Sequence, residues 1–248
     1  MHYYYNKKVV NMTEHIYQLD SYLKEYDSII VSIKDNSIIL DKTIFHPRAG
    51  GLESDTGFLE VNGRRYKVLN VLQEKDSEDV LHQLDTVDGL NPGDRVHLAL
   101  DWERRYKMMK LHTASHIIAA IIYNDYNALI TGGNITPEYA YDDYSLESSD
   151  RSIFDKVVQK ANEVVKKNIE LKIYWLDREE AMKIPGIVKL AARMPPNVKK
   201  LRIVEIPGVD IQADGGPHVK NTGEIGEIVI TKIENKGKNR KRMYYTLK

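Results

Sequence analysis

The chain contains no cysteine. That absence excludes a disulfide framework, a thiol nucleophile, a cysteine-ligated iron–sulfur cluster and any cysteine-based zinc finger. The chain also lacks net charge, because 36 Lys and Arg balance 36 Asp and Glu. A uniformly basic coat is thereby excluded, while local patches are not. Long apolar runs are missing too. The longest, Ile117 to Tyr123, falls far short of the about 20 residues that a bilayer span requires. The N-terminus has no apolar run of the signal-peptide kind. These absences predict a soluble, cytoplasmic protein with no membrane partner. What is present is 248 residues, enough to bury a real core in one or two domains, and eight histidines. A bound metal would have to take nitrogen and oxygen ligands, a methionine sulfur aside.

Residues 1 to about 27 read as an arm plus a short helix, with tyrosines at 3, 4, 5, 17, 22 and 26. Short strands follow. Ser28–Lys34 turns at Asp35-Asn36 into Ser37–Asp41. Gly57–Val61 meets Arg64–Leu72 across Asn62-Gly63, a hairpin signal because both turn positions tolerate positive φ. Arg95–Asp101 alternates apolar and polar residues after Pro92-Gly93-Asp94. Strands at this spacing suggest a small barrel. The character changes near Trp102. Arg105–Tyr123 is apolar almost all round and reads as a buried helix, and Ser152–Asn168 as an amphipathic one. Asp177 with Glu180 fits a capping arrangement opening another helix. Leu171–Leu176, Leu201–Ile206, Glu224–Ile233 and Met243–Leu247 read as strands. The expected fold class is α+β: an N-terminal arm and β-barrel-like domain over residues 1–103, then residues 104–248 with helices packed on an antiparallel sheet.

The informative motif is His112-Thr113-Ala114-Ser115-His116. Residues four apart share a helix face, so both imidazoles can converge on one ion; the same spacing also suits two packed structural histidines. A second element, Asp214-Gly215-Gly216-Pro217-His218, repeats that spacing on a glycine loop. Together the pairs offer three nitrogens and one carboxylate, in keeping with a catalytic zinc-type site, while Asp214 and His218 could instead serve only the turn.

These residues carry a resemblance. Met108–His116 resembles the helix motif of the AlaX-type alanyl-tRNA editing proteins, whose module is also appended to alanyl- and threonyl-tRNA synthetases. Gln212–Val219, followed by Thr222-Gly223-Glu224-Ile225-Gly226, resembles the second motif. Leu40–Pro47 and Asp55-Thr56-Gly57 resemble the family's N-terminal domain, and Lys232–Arg240 its ending. The resemblance spans about residues 16–248. Asp214 stands where the family usually has cysteine, Pro217 where it has threonine, and Ala49-Gly50-Gly51-Leu52-Glu53 where it has Gly-Gly-Gly-Gln-Pro.

The resemblance implies a trans-acting, ATP-independent deacylase that hydrolyses mischarged Ser-tRNA(Ala), and in some members Gly-tRNA(Ala). It implies one Zn²⁺ held by His112, His116, Asp214 and His218. Because a carboxylate selects less strongly for zinc than a thiolate, another divalent metal fits the altered set as well. Thr113 and Ser115 are the candidate catalytic hydroxyls, to be weighed against back-bonding to helix carbonyls. Asn134 and Thr136 follow a Gly-Gly pair and line the pocket or make turns. The alternative is a tRNA-binding protein whose metallohydrolase site has decayed or been redirected. A zinc peptidase is disfavoured, since Thr113 occupies the place of its general base.

A tRNA partner requires local basic surface. Residues 232–248 hold seven basic residues against one acid, and Arg193–Arg202 holds four against none. A third group surrounds the start of the motif. The candidate RNA contacts are Arg104, Arg105, Lys199, Lys200, Lys236, Lys238, Arg240, Lys241 and Arg242. Residues 138–155 carry six acids against one base and read as a solvated surface.

Overall fold

The computed structural model describes residues 13–75, 77–189 and 197–248. The expected N-terminal arm with its tyrosines at 3, 4 and 5, and Arg193 of the second basic run, lie outside the described residues. The chain divides into two compact units. One runs to Pro47 and from Ser54 to Asp101; the other comprises Arg48–Glu53 and Trp102–Lys248. The α+β class is the observed one.

In the first unit, Glu25–Lys34, Ser37–Leu40, Val80–Leu84, Arg64–Gln73, Gly57–Val61 and Arg95–Leu100 form, in that order, a closed barrel. Every neighbouring pair is antiparallel, and Glu25–Lys34 closes the ring on Arg95–Leu100. The Asn62-Gly63 hairpin forms as expected, with φ of 51° and 75°, so its twist matches that of the flanking strands. Leu59 and Val61 point inward between exposed Phe58 and Glu60. In Arg64–Gln73, Tyr66 and Val68 point inward. A register shift between Val68 and Asn70 then resets the alternation, so that Val71 is the next residue in the core.

Val80–Leu84 is a strand that apolar patterning does not reveal, because His82-Gln83 interrupts it. His82 is wholly buried in the barrel. Its Nδ1–H donates to the Ile38 carbonyl at 3.3 Å, which leaves Nε2 to accept from the Thr43 hydroxyl at 2.7 Å. Burial pushes this imidazole down to about 4. The unfolded chain therefore binds a proton between the ordinary value of 6.5 and about 4 that the folded chain refuses. The stability this group contributes is full above pH 6.5 and is lost as pH falls towards 4, at up to about 1.4 kcal/mol per pH unit. Urea unfolding at pH 7 to 4 should show a pH dependence that is shallower by that slope in His82→Gln. Parallel curves for the two proteins would remove His82 as the responsible group.

The second unit is built on the helix Trp102–Tyr126. Met108, Leu111, Ala114, Ile117, Ile118 and Ile122 are all buried, so the helix is covered on several sides, as its unbroken apolar character predicts. It packs on the amphipathic helix Arg151–Lys166 and on strands Ile130–Ile135 and Ala140–Tyr144. Asp150 caps the second helix by accepting from the Ser152 amide at 2.9 Å. The strands form two antiparallel sheets. One has the order Ile228–Asn235, Lys241–Leu247, Ala140–Tyr144, Ile130–Ile135; the other Lys172–Asp177, Lys200–Ile206, Asp210–Ala213.

Two local expectations need correction. The strand expected from Glu224 begins at Ile228, because Asn221 and Glu224 form a capping box around a 3₁₀ turn at Thr222–Glu224. Asp177 precedes only the four-residue helix Arg178–Ala181, and its side chain makes no capping hydrogen bond. Among the described residues, no helix is long and apolar enough to cross a membrane.

Candidate metal centre and its cavity

His112 and His116 lie one turn apart on the long helix, while Asp214 and His218 come from the loop after strand Asp210–Ala213. The structure brings all four together: one ligand atom from each lies within 4.8 Å of all the others. Asp214 Oδ2 is 3.7 Å from His112 Nε2 and 3.9 Å from His116 Nε2, and Asp214 Oδ1 is 3.3 Å from His218 Nε2. An ion with bonds of about 2.0–2.1 Å and tetrahedral geometry holds its ligand atoms roughly 3.4 Å apart. The four donors therefore suit a divalent metal once the wider pairs, up to 4.8 Å apart, draw in.

The ring orientations support the same reading. His112 Nδ1–H donates to the Pro217 carbonyl at 3.2 Å, and His116 Nδ1–H to Asp210 Oδ2 at 3.1 Å. The Thr113 hydroxyl donates to the Met109 carbonyl at 3.0 Å, so at 3.0 Å from His218 Nδ1 it must accept. All three imidazoles thus spend their Nδ1 protons outward and present Nε2 lone pairs to one point. Thr113 is completely buried and also accepts from the Val219 amide at 3.3 Å. Its hydroxyl serves to fix His218, and the back-bond to a helix carbonyl is the one observed.

The loop is held as firmly as the helix. The Asp214 carboxylate does close the turn, accepting from the Gly216 amide at 2.7 Å through Oδ1, and it still turns Oδ2 to the two helix histidines. Arg202 donates to the carbonyls of Asp214 and Gly216 at 2.9 and 3.0 Å. A side chain at 216 would meet His112 Cε1 at 2.7 Å, so only glycine permits this approach.

Electrostatics favour the ligating forms of His112, Asp214 and His218, and work the other way on His116. Burial pushes His112 down to about 4 and His218 well below the imidazole range, the latter aided by the neighbouring His112. Burial also works to lower His116, but its hydrogen bond to Asp210 and the charges of Asp210 and Asp214 raise it. Burial opposes ionisation of Asp214, yet His112, His218 and His116 hold it well below the carboxylate range.

Asp210 and Lys189, absent from the candidate residues, complete the support. Asp210 Oδ1 pairs with Lys189 Nζ at 2.6 Å, and both side chains are buried. The only sequence signal was Asp210 alternating with Gln212 ahead of Asp214; nothing links Lys189 to them locally.

A cavity of about 150 Å³ opens over the centre, lined by Gly50, Gly51, Ser115, Asn134 and Asp142 among others. The turn segment Arg48–Glu53 reaches it through an isolated bridge between Leu52 and Ile135. Ser115 donates to Asp142 Oδ2 at 2.9 Å. Thr136 makes a turn instead, donating to the Tyr139 carbonyl. Asp142 and Asp143 are 4 % and 1 % exposed, so these two depart from the solvated surface expected of the acidic stretch.

Of the nine basic candidates, Arg105 and Lys241 are buried. Lys241 directs Nζ to the carbonyls of Gly237 and Lys238, which rigidifies the turn and removes it from an RNA-facing role. Arg240 and Arg242 both pair with Asp143, and Arg242 stacks 3.8 Å over Tyr141. Arg104 pairs with Glu53, and Lys236 with Glu234. Lys199, Lys200 and Lys238 are exposed and make no ion pair among the described residues.

The fold and the site define a class: a barrel unit followed by a unit with a three-histidine, one-carboxylate centre beneath a small polar cavity. Residues 201–244 match the family described as threonyl and alanyl tRNA synthetase second additional domain, and residues 1–104 match class II (A) tRNA synthetases. The alanyl-tRNA editing protein AlaX-M of Saccharolobus solfataricus is 57 % identical over 238 residues, covering 96 % of this chain and 100 % of that protein. AlaX-M of Methanosarcina acetivorans is 41 % identical, covering 95 % and 99 %. The alanine–tRNA ligase of Staphylothermus marinus is 38 % identical across 90 % of this chain, which matches 24 % of the ligase. The chain belongs to the alanyl-tRNA editing protein family.

Removing the acceptor charge that orients His116 should weaken metal binding without dismantling the fold. Asp210→Asn is expected to lower affinity for a divalent metal about 10- to 100-fold, as loss of such outer partners does. Competition with a chromophoric chelator measures this, and unchanged affinity would show that His116 needs no carboxylate to hold its orientation.

Proposed function

We propose that this protein is a trans-acting aminoacyl-tRNA deacylase that hydrolyses the ester of a wrongly attached small amino acid, with Ser-tRNA(Ala) and Gly-tRNA(Ala) as its substrates. The observation that carries the reading is the convergence of His112, His116, Asp214 and His218 under a cavity of about 150 Å³. Membership of the editing family supports it. The centre is assigned one Zn²⁺. An ion held there supplies Lewis acidity to an ester carbonyl.

The chain's own residues supply the rest. His218 is kept in register by Thr113, a positioning residue. Ser115 is assigned to contact the acyl group; its position on the cavity wall supports this. The cavity excludes bulky side chains by size. Such a second site answers a physical limit, since one methylene gives a synthetase only about 1–3 kcal/mol of discrimination. Lys199, Lys200 and Lys238 are assigned to tRNA phosphates, with Arg104, Lys236, Arg240 and Arg242 contributing from their ion pairs. The site of action is the cytoplasm, where charged tRNA is consumed.

Zinc-loaded protein incubated with Ser-, Gly- and Ala-charged alanine tRNA should release serine and glycine and spare alanine. His116→Ala should lower the rate at least about 100-fold, since it removes a ligand of the catalytic ion. Tight tRNA binding with no turnover of any charged species would instead favour a binding protein with a decayed site. For the RNA surface, Lys199→Glu with Lys200→Glu should weaken tRNA binding and reduce the slope of log K against log salt by about one for each phosphate no longer neutralised. An unchanged slope would remove these two lysines from the interface.

A further inference from the structure

One carboxylate at the cavity has no cation. Asp142 Oδ2 accepts three hydroxyls: Tyr245 at 2.7 Å, Ser115 at 2.9 Å and Tyr144 at 3.3 Å. Oδ1 accepts none among the described residues, and it remains in contact with the cavity rather than sealed in protein. Asp142 makes no ion pair among the described residues, whereas Asp143 beside it has Arg240 and Arg242, and Asp210 has Lys189. A buried, ionised carboxylate without a cation is costly. Burial accordingly pushes the Asp142 carboxyl upward even though three hydroxyls oppose the shift.

The space in front of Oδ1 is kept clear. A side chain at Gly133 would place Cβ 2.6 Å from it. The helix turn that carries Ser115 also carries His112 and His116, so the carboxylate is tied through one hydrogen bond to the segment that holds the metal ligands. The cavity volume of about 150 Å³ equals that of a cavity known to take a benzene ring, a ligand of six heavy atoms. A seryl group also has six.

We propose that Asp142 Oδ1 is the seat of the substrate's α-ammonium group, so that the site selects esters carrying a free, positively charged amine next to the scissile carbonyl. The inference rests on the deacylase reading above. It makes Asp142 a substrate-binding residue and Gly133 the position that keeps its place open. It makes a free amine a requirement for every ester that the site hydrolyses, and excludes esters whose amine is replaced or blocked.

The test pairs a change in the protein with a change in the substrate. Zinc-loaded wild type and Asp142→Asn are assayed on alanine tRNA carrying serine, and on the same tRNA carrying 2,3-dihydroxypropanoate, in which a neutral hydroxyl replaces the ammonium. Wild type should favour the seryl ester. Asp142→Asn should lower kcat/KM on it about 10- to 100-fold, the range for a lost hydrogen bond to a charged group. On the hydroxy ester the variant should lose at least about threefold less, because the pairwise contact between Asp142 and the ammonium is absent there. Gly133→Ala, which crowds Oδ1, should reproduce the pattern, and metal stoichiometry should stay at the wild-type value in both variants. Equal losses on the two esters, or a wild type that does not distinguish them, would overturn the assignment of Asp142 while leaving the deacylase reading intact. Hydrolysis of neither ester by wild type would overturn the deacylase reading, and this inference with it.

Discussion

A buried imidazole can offer one lone pair only if the proton on its other nitrogen has an acceptor. Most of the second unit's architecture around the site follows from meeting that condition three times. His112 uses a backbone carbonyl of the glycine loop, His116 a carboxylate from a neighbouring strand, and His218 a threonine hydroxyl from the facing helix. The arrangement is reciprocal: the loop anchors a helix histidine through Pro217, and the helix anchors a loop histidine through Thr113. Neither segment can shift without releasing a ring on the other. The anchoring also accounts for the burial of Thr113, whose hydroxyl is engaged by two acceptor roles and one donor role.

The carboxylate at 214 changes the balance of that centre. A thiolate at this place would be soft and weakly hydrogen-bonded. Asp214 has two oxygens and divides them, one closing its own turn and meeting His218, the other facing the helix histidines. The turn it closes is further fixed by the buried Arg202 on two loop carbonyls. The four candidate donors are thus a harder set than one with a thiolate, and the carboxylate's charge is left for a bound cation to neutralise. The absence of cysteine, which first appeared as an exclusion, is therefore concentrated at one position with an identifiable replacement.

What could be read from the sequence was what local geometry determines. His112 and His116 are neighbours on any helix, and Asn62-Gly63 encodes its own turn, so both were legible. The barrel was visible through its alternating strands except at Val80–Leu84. There a histidine faces the core because Thr43 and the Ile38 carbonyl satisfy it, and both partners are remote in sequence. Asp210 and Lys189 were invisible for the same reason: their role is defined by a contact with each other and with His116, not by spacing. The capping box at Asn221 lay in plain view as a sequence pattern, yet continuing the strand backwards from Ile228 was the wrong extrapolation, since a side chain that satisfies backbone amides ends a strand as effectively as it starts a helix. Charge counting failed in both directions. It marked Arg105 and Lys241 as surface, and it treated Asp142 and Asp143 as solvated.

Those two adjacent aspartates show why composition could not separate their roles. Successive residues in a strand point to opposite faces. Asp143 lies opposite Arg242 in the sheet register and takes both Arg240 and Arg242, while Asp142 lies opposite Met243 and meets Tyr144 and Tyr245, each two residues along its own face. The strand thus sorts one acidic dipeptide into a neutralised carboxylate and an uncompensated one. The arginines cannot reach through the sheet to quench the second, and while bound to the first they are held in place on the far face. A slip of this strand by one residue would exchange the two aspartates, turning Asp142 to the arginines and Asp143 to the cavity. Which of the two carboxylates faces the cavity is therefore fixed by strand register, and the hydroxyls of Ser115, Tyr144 and Tyr245 hold Asp142 in place without supplying a countercharge.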